Sequence, residues 1–314
     1  MPELHVVMYH YVRDLPRTRF PRIHGLLPDE FRAQIDELSS HFEMATLESA
    51  LDFLAGDYHP TRDLCILTFD DGLKEHVTNV MPLLAERGIQ GLFGVITNCI
   101  EDHRVAPVHM NHFLTAMLDF KEYRSAFERE INGFEPGLIQ RTRIDSAAAR
   151  RSYPLDTAEM ASFKLLLNFL LPSHIRDTAI QRVFDHYCGP EKEFADELYM
   201  SWSEVRQLQR AGMLIAGHTH WHRPLSTLND LELAYDIGVS RALMDMHLEP
   251  QHQWPFSYPY GKRNSYSDKV VGKLREAGYH CAFGTERGHN HVDTPLFDLY
   301  RTDCKNVLHE VCVH

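Results

Sequence analysis

The sequence lacks the features that direct a protein to a membrane or a nucleic acid. No apolar run reaches the length of about eighteen residues that a bilayer-spanning helix needs. No cluster of Lys and Arg forms the basic patch that nucleic acids and anionic lipids attract. The 314 residues instead carry a formal net charge of −12 with histidine neutral. We therefore expect no membrane span and no nucleic-acid partner.

The sequence also lacks paired cysteines and a recognisable leader. Its six cysteines form no C-x-x-C pair, so neither a zinc ribbon nor a disulfide framework is indicated. Cys65 lies in the apolar run 64–67, which favours a buried free thiol. The first residues, MPELHVVMYHYV, show no basic region followed by an apolar stretch and a cleavage site. These features predict a cytoplasmic protein.

Short β-rich runs alternate with helical patterns, which is typical of a parallel α/β fold. Strands are predicted at 6–10, 42–47, 64–69, 91–97, 213–216, 254–258, 280–284 and 299–302. Helices are predicted at 29–41, 76–87, 203–211 and 267–277. Seven or eight such strands predict a distorted (β/α)7-type barrel, although an open doubly wound sheet fits the periodicity too. No Gly-x-Gly-x-x-Gly follows a strand, which argues against a dinucleotide site.

Residues from about 101 to 198 interrupt this alternation. They carry helical patterns at 112–123 and 158–170 but no clear strand. No Gly/Ser/Pro-rich linker flanks them, so we expect one barrel domain over residues 1–314 with a helical insertion at about 101–198. Three histidines near the start of the insertion, His103, His109 and His112, are interpreted as surface residues.

Two polar motifs follow predicted strands. Asp70 and Asp71, in Thr-Phe-Asp-Asp-Gly, end a buried strand, where adjacent carboxylates are costly unless a cation or proton offsets their repulsion. A solvated turn explains that motif equally well when it is taken alone. His218 and His222, in Gly-His-Thr-His-Trp-His, follow another apolar run. Together with the Asp pair they favour a metal site.

Two further strand ends complete the pattern. Tyr260, in Phe-Ser-Tyr-Pro-Tyr-Gly, lies between a rigid proline and a flexible glycine, so its amide can be presented at a fixed position. A structural turn with packed tyrosines is an equally good interpretation. His10 ends the first strand. Because all strand carboxyl ends of a parallel barrel share one face, these side chains are expected to converge.

These motifs, in this order, resemble the signature of the polysaccharide deacetylases (NodB homology domain, carbohydrate esterase family 4). The first-strand Tyr-His and the Phe-Ser-Tyr-Pro-Tyr-Gly sequence are similar to the circularly permuted poly-N-acetylglucosamine deacetylases. The resemblance implies a metal-dependent hydrolase that removes an acetyl group from an amino-sugar nitrogen. Its implied substrate is an N-acetylated sugar or glycan intermediate of surface polysaccharide biosynthesis; the oligomeric state stays open.

The resemblance also assigns the metal centre. Asp71, His218 and His222 would hold one divalent cation, with Zn²⁺ first and Co²⁺ or Ni²⁺ as alternatives. Asp70 would be the catalytic base, and the Tyr260 amide would bind the oxyanion.

The chain departs from the family pattern at the acid and at the partner of the base. The family's acid histidine lies in a C-terminal Leu-x-His motif, which Leu308-His309 does not match in spacing. His10 is therefore assigned as the acid, with His309 as the alternative. Ser257 stands where the family often has the arginine that orients the base. Arg301 and Asp303 are the candidates to replace it.

Three other functions remain open from the residues. A two-histidine, one-carboxylate iron oxygenase would use similar ligands, but such enzymes usually carry His-x-Asp in one stretch. A deformylase or another amidohydrolase would use the same site. A sugar-binding barrel without turnover would have no need of the base Asp70.

Overall fold

The structure, a computed structural model, describes residues 2–311, with side chains described through residue 307. The strands are β1 (Leu4–Tyr9), β2 (Glu43–Met44), β3 (Leu64–Phe69), β4 (Gly91–Val95), β5 (Leu214–Gly217), β6 (Pro255–Ser257), β7 (Cys281–Phe283) and β8 (Thr302–Asp303). The α-helices are α1 (Pro28–His41), α2 (Leu47–Ala55), α3 (Met81–Arg87), α4 (Thr97–Glu101), α5 (Pro107–Met117), α6 (Phe120–Phe134), α7 (Leu138–Arg141), α8 (Ser146–Ser152), α9 (Ala158–Leu165), α10 (Ser173–Cys188), α11 (Glu191–Leu198), α12 (Trp202–Arg210), α13 (Asp230–His247), α14 (Asp268–Glu276) and α15 (Cys304–Val311).

All eight strands belong to one parallel sheet. Its order is β7-β6-β5-β4-β3-β1-β8, and the short β2 pairs with β3 off this path. The sheet belongs to one compact unit, which among the described residues comprises 2–15, 24–102 and 196–311. The parallel α/β prediction is confirmed, and the open doubly wound alternative gives way to a curled (β/α)7-like sheet.

Residues 299–303 bring the two edges of this sheet together. Leu299 pairs with Phe283 of β7, while Thr302 pairs with Val7 of β1. The backbone hydrogen bond from the Gly284 amide to the Leu299 carbonyl, at 2.9 Å, extends the contact with β7. Arg301 therefore lies in the segment that closes the sheet.

The strands bury both faces, as parallel strands covered by helices do. Alternate residues fall into two apolar clusters because side chains alternate along a strand. Val6 and Ile66 join an inner cluster that also contains Phe283 from the far edge of the sheet. Val7 and Leu67 join an outer cluster with the surrounding helices. Every second residue of a strand faces the same side. The inner face of β1 therefore continues to His10, and the inner face of β3 continues to Asp70.

The predicted elements are confirmed with shifted bounds, except for one helix. The helix predicted at 112–123 is wrong, because α5 ends at Met117 and α6 starts at Phe120. Asp119 starts α6 by accepting the Lys121 amide at 2.9 Å. The helix predicted at 76–87 begins as a π-helical turn over His76–Val80. Pro82, which has no amide hydrogen to donate, lies two residues after the end of this turn.

A second compact unit comprises residues 16–23 and 103–195. It is helical and contains no strand among its described residues, as predicted. Four phenylalanine rings pack edge to face in its core: Phe20, Phe113, Phe184 and Phe194. The surface interpretation of the histidines is wrong for His109, which is fully buried.

Two further expectations concern bulk properties. No helix within residues 2–311 combines the length and apolarity that crossing a bilayer requires. Cys65 is a buried free thiol, as predicted, and burial raises its pKa. Cys312 lies outside the described residues.

Candidate active site

Three predicted metal ligands meet at the carboxyl end of the sheet. His218 Nε2 and His222 Nε2 lie 3.3 and 3.4 Å from Asp71 Oδ1, and 3.0 Å from each other. All three side chains are buried. His218 Nδ1 lies 2.7 Å from the Ser257 carbonyl, which fixes a tautomer with Nδ1–H as donor and Nε2 as the available lone pair.

The donor set fits a divalent cation. Ligand atoms about 2.0–2.2 Å from a tetrahedral ion are separated from each other by about 3.3–3.6 Å. The observed spacings of 3.0 to 3.4 Å are close to this requirement. Two imidazoles and one carboxylate suit zinc and similar ions and leave coordination positions for water and substrate. The chain therefore contains a possible His/Asp metal site.

Asp70 lies beside this triad and is held by a buried arginine. Arg301 Nη1 lies 2.8 Å from Asp70 Oδ2, and both side chains are almost completely buried. The same guanidinium donates to the Gly284 carbonyl at 2.6 Å and contacts the Ser257 hydroxyl at 3.3 Å. Ser257 stands where the family often has an arginine, and the Arg301 guanidinium contacts this residue from another segment. Asp303 instead accepts the Lys305 amide at the start of α15.

The two oxygens of Asp70 differ in their surroundings. Burial raises the pKa of Asp70, but the nearby Arg301 and His218 lower it by more than burial raises it. The pKa of Asp70 therefore lies below the ordinary aspartate value. Asp70 Oδ1 is buried and has no hydrogen-bond partner within the described residues. A Cβ at Gly94 would lie 3.3 Å from this oxygen, so the glycine keeps the space beside it open. Asp70 is an ionised carboxylate with one oxygen available to a ligand.

His10 is the partly exposed histidine of the site. Its Nε2 lies 4.0 Å from Asp71 Oδ2, and its side chain is 36% exposed. The backbone carbonyl of His10 accepts a hydrogen bond from His76 Nε2 at 2.9 Å. Burial lowers the pKa of His76 to about 4, so this imidazole is neutral and serves to hold the His10 backbone. The side chain of the alternative acid, His309, lies outside the described part of the structure.

The turns that present these residues adopt unusual backbone conformations. Six non-glycine residues among those described have positive φ, and four lie at the site: Asp71 (82°), Thr219 (68°), His222 (52°) and Tyr260 (63°). Such conformations cost free energy and concentrate at functional sites. The Tyr260 carbonyl accepts the Thr285 hydroxyl at 3.0 Å, which fixes the peptide plane after this residue.

Sequence reasoning missed the residue that supports the metal-binding loop. Asp236, buried on α13, accepts the amides of His220 and Trp221 at 3.0 and 2.7 Å. It thereby holds the loop between His218 and His222. Within the pattern of α13 it is one of several acidic residues, and only its place on the buried face distinguishes it. His76 was missed for a similar reason, since a lone histidine on a helix has no motif.

Comparison with known proteins finds a family match over part of the chain. Residues 168–282 match the family described as polysaccharide deacetylase, a region that contains His218, His222 and Tyr260. No curated protein matches the chain.

Solved structures share the fold along nearly the whole chain. The Streptococcus pyogenes deacetylase PplD, in complex with acetate, is 14% identical over 98% of both chains, with a TM-score of 0.61. IcaB from Ammonifex degensii is 18% identical over 99% of this chain and 97% of that one, with a TM-score of 0.58. The BpsB deacetylase domain from Bordetella bronchiseptica is 17% identical over 96% and 97%, with a TM-score of 0.56.

Proposed function

We propose that this chain, which carries a polysaccharide deacetylase domain, is a metal-dependent hydrolase that removes the N-acetyl group of an amino sugar. The observation that carries the proposal is the buried triad of Asp71, His218 and His222 beside the Arg301-paired Asp70. A cation-binding protein needs the triad alone. The additional ionised carboxylate with an open oxygen supports hydrolysis.

Asp71, His218 and His222 would hold the cation, with Zn²⁺ as the first candidate and Co²⁺ or Ni²⁺ as alternatives. When bound, such a cation lowers the pKa of a coordinated water and polarises an acyl oxygen. The Ser257 carbonyl orients His218 for this role through its 2.7 Å contact with Nδ1.

The remaining residues handle protons and charge. Arg301 occupies Asp70 Oδ2, so Asp70 Oδ1 is the atom that accepts the proton of the attacking water. The Tyr260 amide donates to the oxyanion of the tetrahedral intermediate. His10, protonated at Nε2, delivers a proton to the departing amine, because an amine anion is a poor leaving group.

The names of the solved relatives suggest where to look for the substrate. PplD and the BpsB domain are described as deacetylases. Together with the family match and the resemblance of the sequence motifs, this makes an N-acetylated sugar or glycan intermediate of surface polysaccharide biosynthesis the first substrate to test. The cytoplasmic location remains a prediction from the sequence.

The test combines metal analysis with product analysis on the purified full chain. N-acetylated and N-formylated amino sugars and their oligomers are incubated with and without chelator, and acetate and formate are both measured. We expect chelator-sensitive acetate release. Formate from N-formyl substrates alone would favour a deformylase, and a metal-loaded chain releasing neither acid would favour a binding protein.

Matched variants separate binding from turnover. Asp70→Asn should retain the metal and lose turnover, whereas Asp71→Asn should lose the metal as well. Substantial activity in Asp70→Asn would remove this residue from the role of base.

A further inference from the structure

A second cluster of metal-ligating side chains lies at the opposite end of β1. Glu3, His5 and His289 bring three ligand atoms within 4.8 Å of one another. β1 runs from Leu4 to Tyr9, so His5 lies near the start of the strand and His10 directly follows its end. At about 3.3 Å per residue, the two positions are about 16 Å apart. This cluster is separate from the candidate active site.

Glu3 is the centre of the cluster. Its Oε2 lies 2.5 Å from His289 Nδ1 and 4.0 Å from His5 Nε2, and its Oε1 lies 3.8 Å from His291 Nδ1. Asp63 adds a second carboxylate, 3.8 Å from His5. Glu3, His5 and His289 supply three donors, and His291, whose side chain is 59% exposed, would supply the fourth donor of a four-coordinate site.

The backbone around each ligand is fixed. The Glu3 amide donates to Asp63 Oδ1 at 2.9 Å. Asn290, fully buried between the two loop histidines, exchanges backbone hydrogen bonds of 2.8 and 3.0 Å with Leu4. The His291 amide donates to the Thr294 hydroxyl at 2.8 Å. His289 and His291, two residues apart around a buried residue, both approach Glu3.

We propose that Glu3, His5, His289 and His291 form a second, structural site for a transition-metal dication of the zinc type. The Glu3 and His289 side chains are 32% and 34% exposed, so they can rotate to close the wider spacing of the ligand atoms. His5, which is 14% exposed, packs 4.6 Å from the Phe42 ring and is the fixed ligand. Since its ligands must move, this site binds more weakly than the buried triad.

The site would fasten the start of β1 to the segment that carries Arg301. Asn290 Nδ2 donates to the Leu4 and Tyr300 carbonyls at 3.2 and 3.1 Å, and Asn290 Oδ1 accepts the Tyr300 amide at 2.9 Å. A cation on the flanking histidines would hold this connection, next to Arg301 in the sequence. The alternative is a set of partly exposed His–carboxylate pairs without an ion, which would contribute little to stability.

The test counts Zn²⁺ bound to the chelator-stripped full chain by equilibrium dialysis at neutral pH. We expect two equivalents per chain in the wild type, one tight and one weaker. Glu3→Gln/His289→Gln should keep only the tight equivalent, and His218→Gln/His222→Gln only the weaker one. Asp71→Asn replaces the second variant if that variant does not fold.

A matched control and a second readout complete the test. Glu37→Gln/His41→Gln removes another His–carboxylate pair, 3.4 Å apart on α1, and should keep both equivalents. In the His218→Gln/His222→Gln background, Zn²⁺ should raise the unfolding temperature, and adding Glu3→Gln/His289→Gln should abolish that rise. A second equivalent that survives Glu3→Gln/His289→Gln, or a wild type with one equivalent, would overturn the proposal. Neither of these two outcomes would affect the proposed acetate release, which depends on the other site.

Discussion

Arg301 and Asp70 form a buried ion pair, 2.8 Å between Nη1 and Oδ2, that joins the closing segment of the sheet to the end of β3. The guanidinium also binds the Gly284 carbonyl and contacts the Thr68 hydroxyl at 3.2 Å. Since these partners fix the guanidinium plane, Arg301 sets the orientation of the Asp70 carboxylate. This makes Arg301 a positioning residue for the proposed base.

Arg301→Gln should lower kcat by about 10²-fold with little change in KM, because a misoriented base costs rate more than substrate binding. Metal content should stay at the wild-type level. Arg301→Lys should recover little, since an ammonium cannot reproduce the fixed fork of donors. Steady-state kinetics and metal analysis on folded protein check this.

Arg176→Gln is the control for losing a buried arginine. Arg176 lies in the helical unit and pairs with Asp177. The Arg176→Gln variant should have a lower free energy of unfolding than the wild type, without a selective loss of kcat. Wild-type kcat in Arg301→Gln would show that Asp70 needs no orienting partner.

His10→Asn should reduce amide hydrolysis by about 10²–10⁴-fold, the range for a general acid. Hydrolysis of an acetyl ester with a good phenolate leaving group should fall much less, because that group departs without a proton. Asp70→Asn, by contrast, should impair both reactions. The two substrates are compared by initial rates on metal-loaded protein.

The same comparison distinguishes the two candidate acids. His309→Asn should leave both rates near the wild-type level. Selective loss of amide hydrolysis in His309→Asn, with normal rates in His10→Asn, would reverse the assignment.

The sequence predicted the barrel and the cluster at its carboxyl end because both depend on local patterns. Short apolar runs mark the strands, and polar residues directly follow β1, β3 and β5. The partner of Asp70 could not be assigned from a motif, and Arg301 and Asp303 were both candidates. Ser257 leaves that position without a charge, and Arg301 fills it from a segment 44 positions further along the chain.

Supporting residues could not be identified in the same way. Asp236 and His76 act through backbone groups of other segments, so their roles depend on tertiary packing. The break between α5 and α6 had a local signal, since Asp119 is a good N-cap residue. The apolar periodicity across it concealed that signal.

A second ion pair, between the partly exposed Arg13 and the buried Glu75, is expected to contribute mainly to stability. Arg13 Nε and Nη2 donate to the two oxygens of Glu75, each at 2.7 Å. Removing one partner leaves a buried charge, so Arg13→Gln should lower the free energy of unfolding by about 3 kcal/mol. Arg13→Gln/Glu75→Gln should recover much of this loss. Denaturant unfolding of the three proteins measures it, and equal losses in the single and double variants would contradict the pairing.

Asp236 should make stability depend on pH. Burial raises the pKa of this carboxyl to about 7, against the opposing hydrogen bonds from the Trp221 and His220 amides. The folded chain therefore binds a proton that the unfolded chain has lost above pH about 4. The stabilising contribution is complete below that pH and is lost as the pH rises through about 7.

Asp236→Asn keeps an oxygen to accept both amides but cannot ionise. The unfolding free energy of wild type minus that of Asp236→Asn should therefore fall between pH 4 and pH 7, by an amount on the order of 3 kcal/mol. Taking the difference cancels the titration of the many histidines, which both proteins share. Denaturant unfolding of both proteins at each pH measures it. A difference that stays constant would mean that Asp236 is already ionised in the folded protein, held by its two amide donors.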